Sequence, residues 1–340
     1  MKHEVLARSI LVLGVALAFS IPLIGKFYPR VVEPSRILEV HARMPESGGW
    51  DPDHISIHVG ESLKLRFTSE DVVHGFAIGK LNQPSVEIHP GEVTEITLIF
   101  DHPGTYTFYC TRWCGPNHWR MRGILEVTGE SAAPTPEPQP LYLELGLDLD
   151  APHLAEVIPA RITMPERGAQ YANQLPAYAL DRKTHLTTSP ARLWMQLRAE
   201  PTLASLSDDE LWDVVAWLWQ HLSSAQAWTE GQQLYSANCA ACHGETGKGD
   251  GVMMRGLPAY THESHLSGTR TRPPDFSNPR YLLGASPALL EGKIIRGGMG
   301  TGMPYWGPIF TQEQIEALIA YIYHFAWNSS FHPPTVPSSH

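Results

Sequence analysis

Between residues 36 and 128 apolar and polar positions alternate with a period of two. Ile55, Ile57 and Val59 interleave with Ser56 and His58, and Leu63, Leu65 and Phe67 with Lys64 and Arg66. Further runs at 94–100, 105–110 and 123–127 are separated by Pro90-Gly91 and Pro103-Gly104. Short strands with one apolar face, punctuated by turn dipeptides, predict a β-sandwich. A proline-rich stretch over 132–140 ends this pattern and predicts a semi-rigid, extended linker.

Beyond the linker the period changes to that of a helix. Residues 207–219 match 311–323 position by position: both open on a capping box, Ser207 with Glu210 and Thr311 with Gln314. Leu211, Val214, Val215 and Leu218 in the first, and Ile315, Leu318, Ile319 and Ile322 in the second, share one helical face. Two amphipathic helices can resemble each other by chance. A Ser-Pro-Ala upstream of each, at 189 and at 286, argues instead for an internal repeat.

At the amino terminus an uncharged, mostly apolar run from Ser9 to Gly25 lies between Arg8 and Lys26. As a helix it rises about 25 Å, close to a hydrocarbon core, and predicts a single membrane anchor. A cleaved signal peptide is the alternative, with Ala16-Leu17-Ala18 as the cleavage site. Phe19, Ile21, Leu23 and Ile24 extend the apolar run past that site and favour the anchor. Basic residues flank both ends, so charge alone does not orient it.

Length and composition narrow the picture further. A chain of 340 residues suits two or three domains, and 43% apolar with 18% charged residues is a globular balance. A net charge of −10 argues against nucleic acid as a partner and is compatible with docking to a basic protein. The four cysteines form two close pairs, Cys110/Cys114 and Cys239/Cys242. Two disulfides would staple little of so long a chain, so both pairs read as metal or heme ligands.

The first pair lies in Cys110-Thr-Arg-Trp-Cys114-Gly-Pro-Asn-His118-Trp-Arg-Met121, with His74 upstream at the end of another strand. Thiolate, imidazole and thioether together select copper, and two thiolates on one loop can bridge two copper ions. Each ion would also take one imidazole, with the Met sulfur and a backbone carbonyl as weak outer ligands. A structural Cys2His2 zinc site is the alternative, and it gives Met121 no role.

The second pair, Cys239-Ala-Ala-Cys242-His243, has the spacing of covalent heme c attachment, with His243 as proximal iron ligand. A thioredoxin-like motif would leave His243 unexplained. The distal ligand is expected to be a Met on a late loop, either Met303, which precedes Pro304, or Met299. The first copy of the repeat has no such motif, and its Ser-Pro-Ala lies 18 rather than 25 residues before its helix. The missing residues fall where the second copy holds Met299 and Met303. The middle region therefore reads as a cytochrome-like unit without heme, with His153, His185, His221, Met164 and Met195 as ordinary residues.

Residues 67–128 resemble the copper domain of cytochrome c oxidase subunit II, in the loop from Cys110 to Met121 and also in 67–76 and 90–93. Residues 225–327 resemble a class I cytochrome c, with Gly231 and the aromatic-rich 311–326 segment where that family crosses its terminal helices. The first resemblance implies an all-β cupredoxin sandwich holding a binuclear copper A centre on His74, Cys110, the Arg112 carbonyl, Cys114, His118 and Met121. Many relatives carry Glu at position 112, where it helps bind a magnesium ion at the catalytic subunit; no such ion is expected with Arg112. Upstream of His74 only Trp50 represents the aromatic patch on which soluble cytochrome c docks.

The division that follows is an anchor over 1–34, a copper A domain over 35–129, a linker over 130–141, an all-α heme-less unit over 142–224, a cytochrome c domain over 225–330 and a tail. The resemblance implies a non-catalytic electron-transfer subunit of a membrane oxidase, resembling the single-anchor B-type form. Its heme c would take electrons from an upstream donor, and its copper would feed a catalytic subunit I that reduces O2. Heme c attachment places both centres on the periplasmic or extracellular side of the cell membrane. The alternatives are the same role in a nitric oxide reductase, and a free-standing periplasmic carrier.

Overall fold

The computed structural model describes residues 36–81, 83–115, 117–130, 138–260, 271–298 and 302–327. The expected anchor, part of the linker, Met299 and the tail lie outside them. Among the described residues no helix is long and apolar enough to cross a membrane.

Among the described residues nine strands form two sheets: β1 (Arg36–Ala42), β2 (Trp50–Asp51), β3 (His54–His58), β4 (Leu63–Ser69), β5 (His74–Ile78), β6 (Val86–Ile88), β7 (Val93–Leu98), β8 (Gly104–Tyr109) and β9 (Arg122–Thr128). One sheet has the order β2-β1-β4-β7 and the other β3-β9-β8-β5-β6. β1 runs parallel to β4 and β3 parallel to β9, while the remaining pairs are antiparallel. The alternation in sequence becomes a difference of face: Ile55 and Ile57 of β3 are buried, and His54, Ser56 and His58 are exposed. Leu65, Phe67, Phe76, Phe108 and Leu125 fill the space between the sheets. The Trp50 ring meets Phe67, Phe76 and Phe108 edge-on at 5.7–6.1 Å, a favourable aromatic geometry. This is a cupredoxin-like β-sandwich.

The remainder is helical: α1 (Leu141–Glu144), α2 (Pro165–Gly168), α3 (Arg182–Thr187), α4 (Pro190–Arg198), α5 (Asp208–His221), α6 (Ala225–Asn238), α7 (Ala240–His243), α8 (Pro279–Leu282), α9 (Pro287–Arg296) and α10 (Gln312–Tyr323). The repeat is visible in three dimensions. α4 and α9 each start on a Ser N-cap followed by Pro, and α5 and α10 each carry a complete capping box. Gly231 of α6 lets that helix approach α10 so closely that a Cβ would lie 2.0 Å from the Ala317 carbonyl oxygen. Gly168 of α2 does the same against α5, at 2.2 Å from the Asp213 carbonyl.

One apolar core runs through both copies, from Leu149 to Trp327, so the boundary expected at 224/225 divides a shared core. Backbone bonds join the copies, Ala191 N–H to the Leu283 carbonyl and Ala155 N–H to the Arg280 carbonyl, each at 2.9 Å. The buried Asp213 holds the first copy together, accepting from the Arg161 guanidinium at 2.7 and 3.1 Å and from Met164 N–H at 2.7 Å.

Candidate metal and heme centres

At one end of the sandwich β8 stops at Tyr109, and the chain makes a loop before resuming as β9 at Arg122. The ladder pairs Tyr109 with Arg122, and Cys110 N–H donates to the Met121 carbonyl at 3.0 Å, which pinches the loop at its base. Cys110 and Met121 are thereby fixed by the sheet rather than by loop conformation. His74 opens β5 beside them and is completely buried.

All the side chains expected from sequence converge here. The ligand atoms of His74, Cys110 and Cys114 lie within 4.8 Å of one another. His74 Nδ1 is 3.8 Å from Cys110 Sγ, His118 Nδ1 is 3.5 Å from Cys114 Sγ, and Met121 Sδ is 3.8 Å from Cys114 Sγ. The Arg112 carbonyl oxygen comes within 3.2 Å of Cys110 Sγ. Each imidazole is thus matched to one sulfur, with the thioether and carbonyl as further donors. Two thiolates, two imidazoles and a thioether form a soft set that fits copper. A zinc site would leave the buried Met121 sulfur without a part.

Electrostatics prepare the thiols for a cation. The Cys110 thiol is pushed down to about 3, first by the hydrogen bond from Cys114 and then, against the effect of burial, by those from His118, His74 and Gly75 N–H. Cys114 is pushed up in turn, because the neighbouring Cys110 thiolate holds its proton and burial disfavours a second charge. The pair therefore shares one negative charge, and a divalent or soft monovalent cation would displace the remaining proton.

Asp71 is a neighbour of the cluster that the sequence reading missed. Its Oδ1 lies 2.7 Å from His74 Nε2, which turns Nδ1 toward the sulfurs and sets the tautomer a metal requires. Asp71 is itself fixed by Met44 N–H at 2.6 Å and Val72 N–H at 2.7 Å. Burial opposes the imidazolium at His74, but the hydrogen bonds to Cys110 and Asp71 outweigh it and raise its pKa. The available signal was an Asp three residues before a His, too common to single out. Trp50 also contributes from outside the ligands, its Nε1 donating to the Met121 carbonyl at 3.2 Å. The side chain of Arg112 turns away from the cluster and pairs with Glu87, whose other oxygen is 3.2 Å from His89 Nε2.

In the helical half Cys239 caps α6, and α7 carries Cys242 and His243 in a single turn. His243 N–H donates to the Cys239 carbonyl at 2.9 Å, and Tyr235 Oη donates to the Gly244 carbonyl at 2.8 Å. Gly244, Gly247 and Gly249 all have φ between +70° and +79°, allowing 244–251 to fold back so that Gly249 N–H reaches the His243 carbonyl at 2.8 Å. His243 Nδ1 is buried without a hydrogen-bond partner, and its ring stacks on Phe276 at 4.8 Å. Burial pushes its pKa down to about 4, keeping a neutral imidazole, the form that binds iron. Met303 packs against the helical core, its carbonyl accepting from Gly298 N–H at 3.1 Å. Two thiols one turn apart, followed directly by a buried neutral imidazole, fit a covalently attached heme.

Comparison with known proteins finds matches to the stretches that carry these two sites. Residues 27–128 match the family described as cytochrome C oxidase subunit II, periplasmic domain, and residues 226–322 match cytochrome C oxidase, cbb3-type, subunit III. A cytochrome c oxidase subunit 2 from Thermus thermophilus is 37% identical over 79 residues, covering 23% of this chain and 58% of that protein. A nitrous-oxide reductase from Cupriavidus necator is 42% identical over 72 residues, covering 20% of this chain and 11% of the reductase. The chain thus spans about half the length of the oxidase relatives it matches. Among solved structures, a heme-copper terminal oxidase dimer matches at 25% identity and a TM-score of 0.25, covering 37% of this chain and 99% of that one. The periplasmic domain of subunit II of cytochrome oxidase from Bradyrhizobium japonicum matches at 17% identity and a TM-score of 0.25, covering 29% and 87%. Two separate stretches of the chain are thus similar to known domains: residues 27–128 to the periplasmic domain of cytochrome c oxidase subunit II, and residues 226–322 to a cbb3-type cytochrome c domain.

Proposed function

We propose that this chain is the electron-transfer subunit of a membrane heme-copper oxidase. Electrons reach a heme c held by Cys239, Cys242, His243 and Met303, and pass to a binuclear copper A centre. That centre is held by His74, Cys110, the Arg112 carbonyl, Cys114, His118 and Met121, and it serves a separate catalytic subunit I that reduces O2. Residues 1–34 anchor the chain, and both centres stand on the periplasmic or extracellular side. The heme-less unit over 142–224 supports the cytochrome domain through the shared core.

The observation that carries this reading is the convergence of two Cys-His pairs and a Met sulfur at the end of the sandwich. When bound, the copper pair and the heme each exchange one electron. The protein's part is to hold the donors still. Cys110 and Met121 sit on the β8–β9 ladder, Asp71 fixes His74, and Trp50 fixes the Met121 backbone, so a change of charge demands little movement. Electron paramagnetic resonance of the oxidised protein tests the copper assignment: a many-line hyperfine pattern is expected, and a four-line mononuclear signal refutes it. Heme staining with iron quantitation should give one heme per chain, and two would refute the heme-less middle unit.

The pairing of Arg112 with Glu87 favours a second reading at one point. Position 112 offers no carboxylate toward a neighbouring subunit, so the acceptor subunit contact is rebuilt, as suits a nitric oxide reductase. Turnover of NO against O2 by the co-purified complex separates the two.

A further inference from the structure

The copper half and the helical half meet beside the copper cluster, at a segment two residues beyond Met303. Arg122 follows Met121 directly and pairs across the ladder with Tyr109, the residue before Cys110. Its guanidinium Nη1 donates to the Tyr305 carbonyl at 2.8 Å, and its Cζ lies 5.1 Å from the ring centroids of both Tyr305 and Trp306. Tyr305 follows Met303-Pro304, and Trp306 is buried, stacked on Phe310 at 5.1 Å and bonded through its N–H to the Ile294 carbonyl at 3.0 Å. Tyr109 packs against the helical core. Next to this contact Lys80 N–H donates to the Ile309 carbonyl at 2.9 Å, and Gly79 admits the turn at 307–309 so closely that a Cβ would lie 2.4 Å from the Pro308 carbonyl oxygen.

We propose that this junction docks the cytochrome unit onto the copper domain in one fixed register, and that Arg122 is the positioning residue whose hydrogen bond to Tyr305 completes the electron route between the two centres. The inference rests on the electron-transfer reading above. The route is short and mostly covalent: Met303, Pro304 and Tyr305, one hydrogen bond, then Arg122 and Met121. One electron moves, lost by the ferrous heme and gained by the oxidised copper pair, with no bond made or broken. A linker alone would raise the local concentration of donor and leave its orientation free. Here a charge-assisted hydrogen bond and stacking on two rings fix the orientation. The arrangement also accounts for the sparse aromatic surface near the copper, since the donor surface is occupied from within the same chain.

The test uses the full membrane-bound chain carrying heme and copper, in Arg122→Gln, Arg122→Lys and Gly79→Val forms. Copper resonance and heme absorption are recorded first; their absence from the unaltered chain would refute the electron-transfer reading itself. With both signals intact, heme-to-copper transfer after photoreduction of the heme should fall about tenfold or more in Arg122→Gln, as expected for losing one charged hydrogen bond and two cation–π contacts. Arg122→Lys should restore part of it. Gly79→Val, which wedges the junction from its other side, should slow transfer and speed deuterium exchange at the Lys80 amide. Unchanged transfer rates in both Arg122→Gln and Gly79→Val, with both spectra normal, overturn the proposal.

Discussion

Replacing Gly231 by Ala sets two opposing effects against each other, and the structure decides between them. Ala is the better helix former, worth up to about 1 kcal/mol in mid-helix. Against this, the new Cβ would stand 2.0 Å from the Ala317 carbonyl oxygen, 2.6 Å from its carbon and 2.9 Å from Tyr321 Cβ. A carbon and a carbonyl oxygen in contact sit about 3.3 Å apart, so α6 and α10 must separate by roughly 1.3 Å. The obstacle is backbone, so no side chain can rotate away. Tyr321 is also held from two sides, by Trp228 at 5.2 Å and Tyr235 at 5.3 Å, so the aromatic layer above Cys239 moves with it. Overpacking of this kind costs about 1–3 kcal/mol, which exceeds the gain in propensity. For a helical body of this size each kcal/mol shifts Tm by about 2–4 °C, so Gly231→Ala should lower Tm by a few degrees. Gly231→Val should lower it further and reduce heme incorporation. Thermal unfolding followed by tryptophan fluorescence, with heme content read from the Soret band, measures both. An unchanged or raised Tm in Gly231→Ala would show that the crossing is looser than described and refute the reasoning.

Three further outcomes are expected. Asp71→Asn, which leaves His74 in place without its carboxylate, should weaken copper binding about 10- to 100-fold in a chelator competition, and unchanged affinity would remove Asp71 from the site. Asp213→Ala strips a fully buried carboxylate from Arg161 and from Met164 N–H, and should cost about 3–5 kcal/mol in denaturant unfolding, a loss under 1 kcal/mol counting against it. His185 is pushed down to about 4 by burial and then by Arg182, while its unfolded value is about 6.5. Its neutral form is the folded one, so stability is complete above pH 6.5 and falls as pH drops from there toward 4, by at most about 1.4 kcal/mol per unit. His185→Phe should flatten that acid limb, and denaturation midpoints at pH 7 and pH 5 that fall as steeply as in the unaltered chain would refute the assignment.

What was legible in the sequence was local. Alternation gave β3 and β4 because burial of one face follows from a period of two, and the capping boxes at Ser207 and Thr311 gave the starts of α5 and α10 because the caps are made within four residues. The copper and heme motifs were legible because most of their donors lie on single loops. His74 lies outside that loop and was legible only as a histidine at the end of another strand, being brought to Cys110 across 36 residues by β5–β8 pairing. The contacts that escaped are those without local pattern. Arg122 meets Tyr305 across 183 residues, and neither is unusual where it stands. The sharing of one core by 142–224 and 225–327 was hidden for the same reason, since amphipathic helices reveal that they bury a face but not against which partner.

That shared core bears on how the chain matures. The sandwich closes its own core with Val127, so it can fold before the helical half is complete. The helical half cannot, because its packing requires Trp327, and the first copy leans on Leu283 and Arg280 of the second. On the proposed function, Cys239 and Cys242 would therefore take up heme on a segment that has not yet closed. On the proposed function the order of assembly is copper domain first and heme second, which makes the contact between Arg122 and Tyr305 the last to form.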